Sequence, residues 1–360
     1  MLSSCGVRSV RHPKEWHQRQ TSTPARWCYS GSAAQSFRST IIEDAAKRDE
    51  ALRPAGARRS YHVILNQNSG TVLALGLTVG ALRAQFDAHG LDATIDADDA
   101  ADFKERMSRA VAGDADVIVS AGGDGTATAL AEALIGSTKS LAVLPLGTAN
   151  LLARDLKIPL DLDKAIAALD AMAPMQIDVG EVNGRIFIHK VVVGVIPAIA
   201  AAREKVRGNR DVGAVLRFGQ YFVQRIAGAR RTAVSITSRD TEDRIERIHA
   251  IAVANNAYDQ GLGKIFSRQR LDAGTLTLYV LRRLALRDVF RLGIEMIAGR
   301  WQDDDALSIE AVRSVTINAK KPTVAAMIDG EVELLETPLR FRVRPLALSI
   351  LTPSPPEIAE

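Results

Sequence analysis

The stretch Gly122-Gly123-Asp124-Gly125-Thr126 combines residue types that suit phosphate chemistry. Glycines let a backbone approach a phosphate closely and adopt positive φ. If the turn opens a helix, unpaired N–H groups and a partial positive charge face the same anion. Thr126 can cap that helix or donate to a phosphate oxygen. Asp124 is an acid in an anion site. That fits a carboxylate orienting a Mg²⁺ water shell or a hydroxyl. A glycine turn from strand to helix is also a common structural element, and this stretch alone leaves both readings open.

Two more loops join it. Asn66-Gln67-Asn68-Ser69-Gly70 follows an apolar run, and Pro145-Leu-Gly-Thr148-Ala-Asn150 follows another. Neither a Gly-Lys-Ser/Thr ending nor a Gly-x-Gly-x-x-Gly pattern is present. Strands are expected at 62–66, 91–96, 116–120 and 141–144. Helices are expected at 75–89, 99–112 and 126–135. This alternation predicts a parallel α/β sheet. In such a sheet, loops at the carboxyl ends of the strands line one crevice. The three polar loops would therefore converge.

After about residue 176 strand patterns dominate: 186–195, 232–237, 248–254, 276–281, 314–318, 324–328 and 339–343. Helical stretches interrupt them near 198–228 and 286–300. A mainly β second domain follows. Met327-Ile-Asp-Gly-Glu331 places two carboxylates, Asp329 and Glu331, at i and i+2. An extended chain would put them on one face. A β-turn with two solvated acids is the alternative.

These stretches together resemble the diacylglycerol kinase catalytic-domain family, which includes bacterial lipid kinases and sphingosine and ceramide kinases. The matching segments are NQNSG (66–70), GGDGT (122–126), PLGTANLLARDL (145–156), DVG (178–180), NNAYDQGLG (255–263) and IDGE (328–331). The resemblance implies an α/β nucleotide domain at 59–177 and a β-sandwich lipid-substrate domain at 178–338. A final strand, 339–353, would return to the first domain. It implies ATP and Mg²⁺ as cofactors. Asn66, Gln67, Asn68, Ser69, Gly70, Gly122, Gly123, Asp124, Gly125, Thr126, Thr148 and Asn150 would contact ATP. Asp329 would be the general base, with Glu331 its neighbour in the metal and hydroxyl network. The expected activity is ATP-dependent phosphorylation of a hydroxyl on diacylglycerol or a related lipid. Gln67 stands where proline is usual, and Leu151 where an acid is frequent. Asp272-Ala273-Gly274 replaces an Asp-Asp-Gly metal loop, leaving Asp272 as the candidate ligand. An NAD kinase-like enzyme and a non-catalytic lipid- or nucleotide-binding protein are the alternative readings.

Composition narrows the classes. The 360 residues carry a formal charge of +4, but residues 1–60 hold 11 Lys/Arg against 5 Asp/Glu. The remaining chain is slightly acidic, so a nucleic-acid partner is not expected. Both cysteines, Cys5 and Cys28, lie in that first segment. This excludes a thiol nucleophile or cysteine metal site from the body. Residues 1–58 read as a disordered or targeting-like segment. No apolar run reaches the ~20 residues of a membrane span. The expected location is cytoplasmic and peripheral to a membrane that presents the lipid, with a homodimer allowed. Basic residues from Arg203 to Arg231, interleaved with Phe218 and Phe222, suggest one amphipathic lipid contact. Residues 286–300 suggest a second.

Overall fold

Short buried apolar runs alternate with amphipathic helices through the first half of the chain. The computed structural model describes residues 58–353, except 198, 200–211, 239, 241–242, 260–266 and 299. The expectations for residues 1–57, for Arg203, Lys205, Arg207 and Arg210, and for the Gln260–Gly263 end of the NNAYDQGLG segment lie outside the described residues. All described residues fall in one compact unit, Ile41–Glu360.

The first sheet region comprises β1 (Ser60–Leu65), β2 (Asp92–Asp96), β3 (Val117–Gly122) and β4 (Ser140–Pro145). β1 pairs in parallel with both β2 and β3, and β3 with β4. β3 is buried along its whole length, so its sequence VIVSAG shows no polar alternation. The helices are α1 (Gly70–Leu75), α2 (Val79–Ala88), α3 (Phe103–Ala112), α4 (Asp124–Leu134), α5 (Leu151–Asp155) and α6 (Leu162–Ala168). The helix expected at 75–89 runs from Val79 to Ala88, and the short α1 before it was not expected. Gly76 closes α1 in the left-handed conformation (φ 58°), and its N–H reaches the carbonyls of Leu73 and Val72. Thr78 then caps α2 through Ala81 N–H. Leu82 and Phe86 are the buried residues of α2.

The second half supplies β5 (Met172–Val182), β6 (Arg185–Phe187), β7 (Lys190–Gly194), β8 (Thr232–Ser238), β9 (Arg244–Ile248), β10 (Ala250–Asn255), β11 (Leu276–Leu281), β12 (Leu307–Val312), β13 (Ser314–Ala319), β14 (Thr323–Ile328), β15 (Glu331–Glu336) and β16 (Leu339–Pro353). The long helices are α7 (Val212–Ala227) and α8 (Leu286–Ala298). The strand expected at 186–195 breaks at Ile188-His189, giving β6 and β7. This break turns out to hold the site together.

One sheet has ten strands in the order β2-β1-β3-β4-β16-β13-β8-β9, with β5 paired to β16 and β6. The other has six, ordered β12-β11-β10-β7-β14-β15, all antiparallel. β16 runs 15 residues, antiparallel to β13 and β5, and meets β4 in parallel at Ile350. One core packs α1–α6 against the parallel strands, centred on Ile64, Ile118, Leu130 and Leu144. A second core lies between the two sheets, with Val191, Val253, Leu278, Ile317 and Phe341. The fold is thus a mixed α/β sheet joined to an antiparallel sandwich. Among the described residues no helix is long and apolar enough to cross a membrane. Tyr221 and Val223 on α7 and Ile294 on α8 are exposed.

Candidate active site

The loops after β1, β3 and β4 meet at the carboxyl ends of their strands and lock to one another. Ser69 Oγ donates to the Leu146 carbonyl at 2.7 Å, and Thr71 Oγ1 to the Gly147 carbonyl at 2.9 Å. Asn66 Nδ2 donates to Thr126 Oγ1 at 3.0 Å, and Asn66 Oδ1 accepts the Asn68 N–H. Gln67 Nε2 reaches the Ala97 carbonyl at 2.9 Å. Asn150 adopts φ 49°, and its side chain closes its own loop by accepting from Gly147 N–H at 2.7 Å and donating to the Pro145 carbonyl. Most polar side chains of these loops therefore build the cradle. Asn68, Gly70, Gly125 and Thr148 form its exposed rim.

Gly123 is the N-cap of α4. The first-turn N–H groups of such a helix lack intrahelical acceptors and point outward. Gly122 leaves room for Thr126: a Cβ there would lie 2.5 Å from Thr126 Oγ1. Asp124 is the first residue of α4. Its Oδ1 accepts from Leu152 N–H at 3.4 Å at the start of α5. Burial pushes its carboxyl pKa up, against the pull of the N–H groups of Leu152, Leu151, Asn150 and its own residue.

The acid pair arrives from the far end of the chain. Asp329 (φ 47°) and Gly330 (φ 106°) form the two-residue turn between β14 and β15, in which Ile328 pairs with Glu331. Asp-Gly suits a turn with two positive φ angles. The two carboxylates thus sit on a hairpin tip, not on one face of an extended chain. Nor is Asp329 a solvated turn residue. Its Oδ1 accepts from the N–H groups of His189 and Lys190, both at 2.9 Å. Its Oδ2 accepts from Ile188 N–H at 2.7 Å and from Thr128 Oγ1, on α4, at 3.1 Å. Its own N–H donates to the Lys190 carbonyl. Burial raises the Asp329 pKa, and the N–H groups of Ile188, Lys190 and His189, with the Thr128 hydroxyl, oppose that rise. Glu331 is exposed and lies against the glycine loop: a Cβ on Gly125 would be 2.9 Å from its Oε1.

Several participants carry no local sequence signal. Thr128, His189 and Lys190 are among them. Lys190 Nζ lies 5.3 Å from the centre of the Tyr258 ring. Burial lowers its pKa to about 8, with Asp329 raising it and Arg268 lowering it further. The folded chain then releases this proton near pH 8, while the unfolded chain keeps it to about 10.4. Between those values the unfolded state binds more protons, so this group makes stability rise with pH. From pH 7.5 to 9.5, Lys190→Met is expected to lose on the order of 2 kcal/mol of that rise relative to wild type. Urea melts of both proteins at the two pH values measure it; parallel pH dependence would refute the buried-lysine assignment.

The other family-like segments act as scaffold. Asp178 accepts from Gly274 N–H at 2.6 Å and Leu346 N–H at 2.9 Å. Asn255 Nδ2 bridges the carbonyls of Asp178 and Ile188. Asp272 accepts from Arg270 Nε at 3.3 Å. Its loop is closed by Asn256 Oδ1 accepting from Ala273 N–H. The expectation of a metal ligand at Asp272 finds no supporting cluster: among the described residues no group of three or more His, Cys, Asp or Glu is placed to hold a metal.

Three loops at the carboxyl ends of parallel strands thus face a half-buried acid turn. The profile of the diacylglycerol kinase catalytic domain matches residues 60–182. That of the YegS C-terminal NAD kinase β-sandwich-like domain matches residues 190–352. A Pseudomonas aeruginosa protein named probable lipid kinase YegS-like is 30% identical over 266 residues, 70% of this chain and 82% of that protein. A Pseudomonas syringae pv. tomato protein of the same name is 44% identical over 98 residues, 27% of this chain and 32% of its own length. The crystal structure of a putative diacylglycerol kinase from Bacillus anthracis superposes with a TM-score of 0.60 at 19% identity, covering 84% of this chain and 99% of that one. The chain belongs to the diacylglycerol kinase catalytic-domain family, with the YegS-like type of second domain.

Proposed function

We propose that this protein is an ATP- and Mg²⁺-dependent lipid kinase that phosphorylates a hydroxyl of diacylglycerol or a related lipid presented at a membrane surface. One observation carries the reading. The helix that begins at the glycine loop touches the acid turn twice, through Thr128 to Asp329 and Gly125 to Glu331. A helix N-terminus suited to phosphate and a half-buried carboxylate thus face one space.

Phosphoryl transfer needs positioning, charge neutralisation and an acceptor for the hydroxyl proton. N–H groups at the start of α4 hold the phosphates, with Asn68, Gly70 and Thr148 along the rim. Bound with the triphosphate, Mg²⁺ would supply charge neutralisation. Exposed Glu331, together with Asp124, whose Oδ1 accepts one backbone N–H at 3.4 Å, would hold its water shell, whereas Asp329 already accepts four hydrogen bonds. A carboxylate offers about four acceptor sites, and Asp329 fills four. The acceptor hydroxyl therefore replaces Thr128, whose bond at 3.1 Å is the longest of the set. Asp329 takes the hydroxyl proton as the oxygen bonds to the γ-phosphorus. The bond from that phosphorus to the β–γ bridging oxygen breaks, and ADP leaves.

The test is incubation with ATP, Mg²⁺ and vesicles of total lipid extract, followed by mass spectrometry. A new ATP-dependent phosphomonoester of a hydroxyl lipid is expected. ATP binding with no phosphorylated lipid over a broad panel would refute the reading, and labelling of NAD alone would replace it.

A further inference from the structure

Arg268 is a fully buried guanidinium, distant in sequence from both the phosphate loops and the acid turn. All five of its side-chain N–H donors have acceptors. Nε and Nη2 donate to Asp155 Oδ2 at 2.9 and 2.6 Å. Nη2 also donates to His189 Nδ1 at 2.8 Å. Nη1 donates to the carbonyls of Ile188 at 2.7 Å and Asn255 at 2.9 Å. The Arg268 backbone N–H completes the pair at Asp155 Oδ1, 3.1 Å away. His189 must accept at Nδ1, so its ring is neutral and protonated on Nε2. Burial, then Arg268 and Lys190, push its pKa well down, in agreement.

These contacts close a ring. Asp124, at the start of α4, accepts from the first turn of α5. Asp155 ends α5 and grips Arg268. Arg268 grips the Ile188 carbonyl and the His189 ring. The next N–H groups, those of Ile188, His189 and Lys190, fix Asp329. Asp329 accepts from Thr128, one turn along α4 from Asp124. The nucleotide loop and the acid thus share one hydrogen-bonded circuit. A buried ion pair is weak evidence for stability, since apolar groups of similar volume often replace it without loss. What such a pair does specify is where its partners sit.

We propose that Asp155 and Arg268 are positioning residues: they fix the 188–190 backbone, and through it Asp329, against the glycine loop. This rests on the reading of Asp329 as the base.

The test uses the full chain and two variants: the double replacement Asp155→Leu with Arg268→Met, and the single Arg268→Lys. In the folded double variant, kcat is expected to fall roughly 10²-fold, while KM for ATP stays within about threefold. The acid limb of the kcat profile should move to higher pH, because loosened N–H bonds no longer hold the Asp329 pKa down. Arg268→Lys keeps the charge without the fork and should fall between. Wild-type kcat with an unmoved acid limb in the double variant would overturn the proposal. If the double variant does not fold, Arg268→Lys decides. Faster amide exchange at Ile188 to Lys190 with a kcat loss of about tenfold or more supports it; unchanged values of both overturn it. Should wild type phosphorylate no lipid, the kinase reading fails separately, and exchange at 188–190 alone then decides the positioning claim.

Discussion

Asp329→Asn is expected to lower kcat for lipid phosphorylation by about 10²–10⁴-fold, the range for a lost general base, with ATP affinity nearly unchanged. The substitution is not silent for the fold. Asn keeps one acceptor oxygen and turns the other position into a donor. Placed toward His189 and Lys190, the new NH₂ would oppose two N–H groups. Placed toward Ile188 and Thr128, it leaves only the Ile188 N–H unpaired, because the Thr128 hydroxyl can turn and accept. The second orientation costs less, about 1–3 kcal/mol for one buried unpaired donor. A lower melting temperature with intact nucleotide binding and almost no turnover is the expected combination. Nucleotide binding by a fluorescent analogue and single-turnover lipid labelling, both well below the melting temperature, measure it. Near-normal turnover would remove Asp329 from the mechanism.

The three loops were legible because each follows an apolar strand and the strands are parallel. Topology alone then brings them together. The jobs of their side chains were not legible. Asn66, Gln67, Ser69 and Asn150 look like ligand contacts by type, yet the first three bond to neighbouring segments and Asn150 closes its own loop. Asp124 reads as an acid beside phosphates, and the sequence does not show that it also accepts from the next helix. Composition shows which groups are polar; it does not show whether a phosphate or a neighbouring backbone meets them. Asp329 and Glu331 were visible as an acid pair, and Asp-Gly between apolar strands is itself a hairpin signal. The partial burial of Asp329 depends on three N–H groups some 140 residues earlier, at a strand break that reads as continuous apolar sequence.

Arg268 shows the same limit more sharply. Nothing around it distinguishes it from a surface arginine, and its partners come from α5, β10 and the β6–β7 break. β16 is a further case. Its exposure alternates through Phe341, shifts register between Arg344 and Leu348, and is buried from Ile350 to Thr352. One strand faces the sandwich at one end and the helices at the other, so no single period describes it.

Gly147→Ala should separate nucleotide binding from fold stability in the opposite sense to Asp329→Asn. Gly147 is not in a left-handed conformation; its constraint is space. A Cβ there would lie 2.7 Å from Gly123 Cα and 2.9 Å from Asn150 Oδ1. The first contact is backbone, so no side-chain rotation relieves it. The loop after β4 must move away from the N-cap of α4. That movement also strains the Asn150 bond to Gly147 N–H and the Thr71 bond to the Gly147 carbonyl. Overpacking of this kind costs about 1–3 kcal/mol. Because the displaced atoms are those that shape the phosphate cradle, the larger effect falls on ATP. KM for ATP is expected to rise by about tenfold or more, a loss of roughly 1.4 kcal/mol of binding. Gly147 makes no bond in the ring that runs through Asp155 and Arg268 to Asp329, so the acid limb of the pH profile should stay in place. Isothermal titration with ATP and the pH profile at saturating ATP check the two halves. Unchanged ATP affinity in a folded Gly147→Ala protein would mean that the close approach of the two loops shapes the protein core and not a phosphate site. A shifted acid limb would mean that the nucleotide cradle and the acid are coupled more tightly than the ring through Asp155 and Arg268 provides.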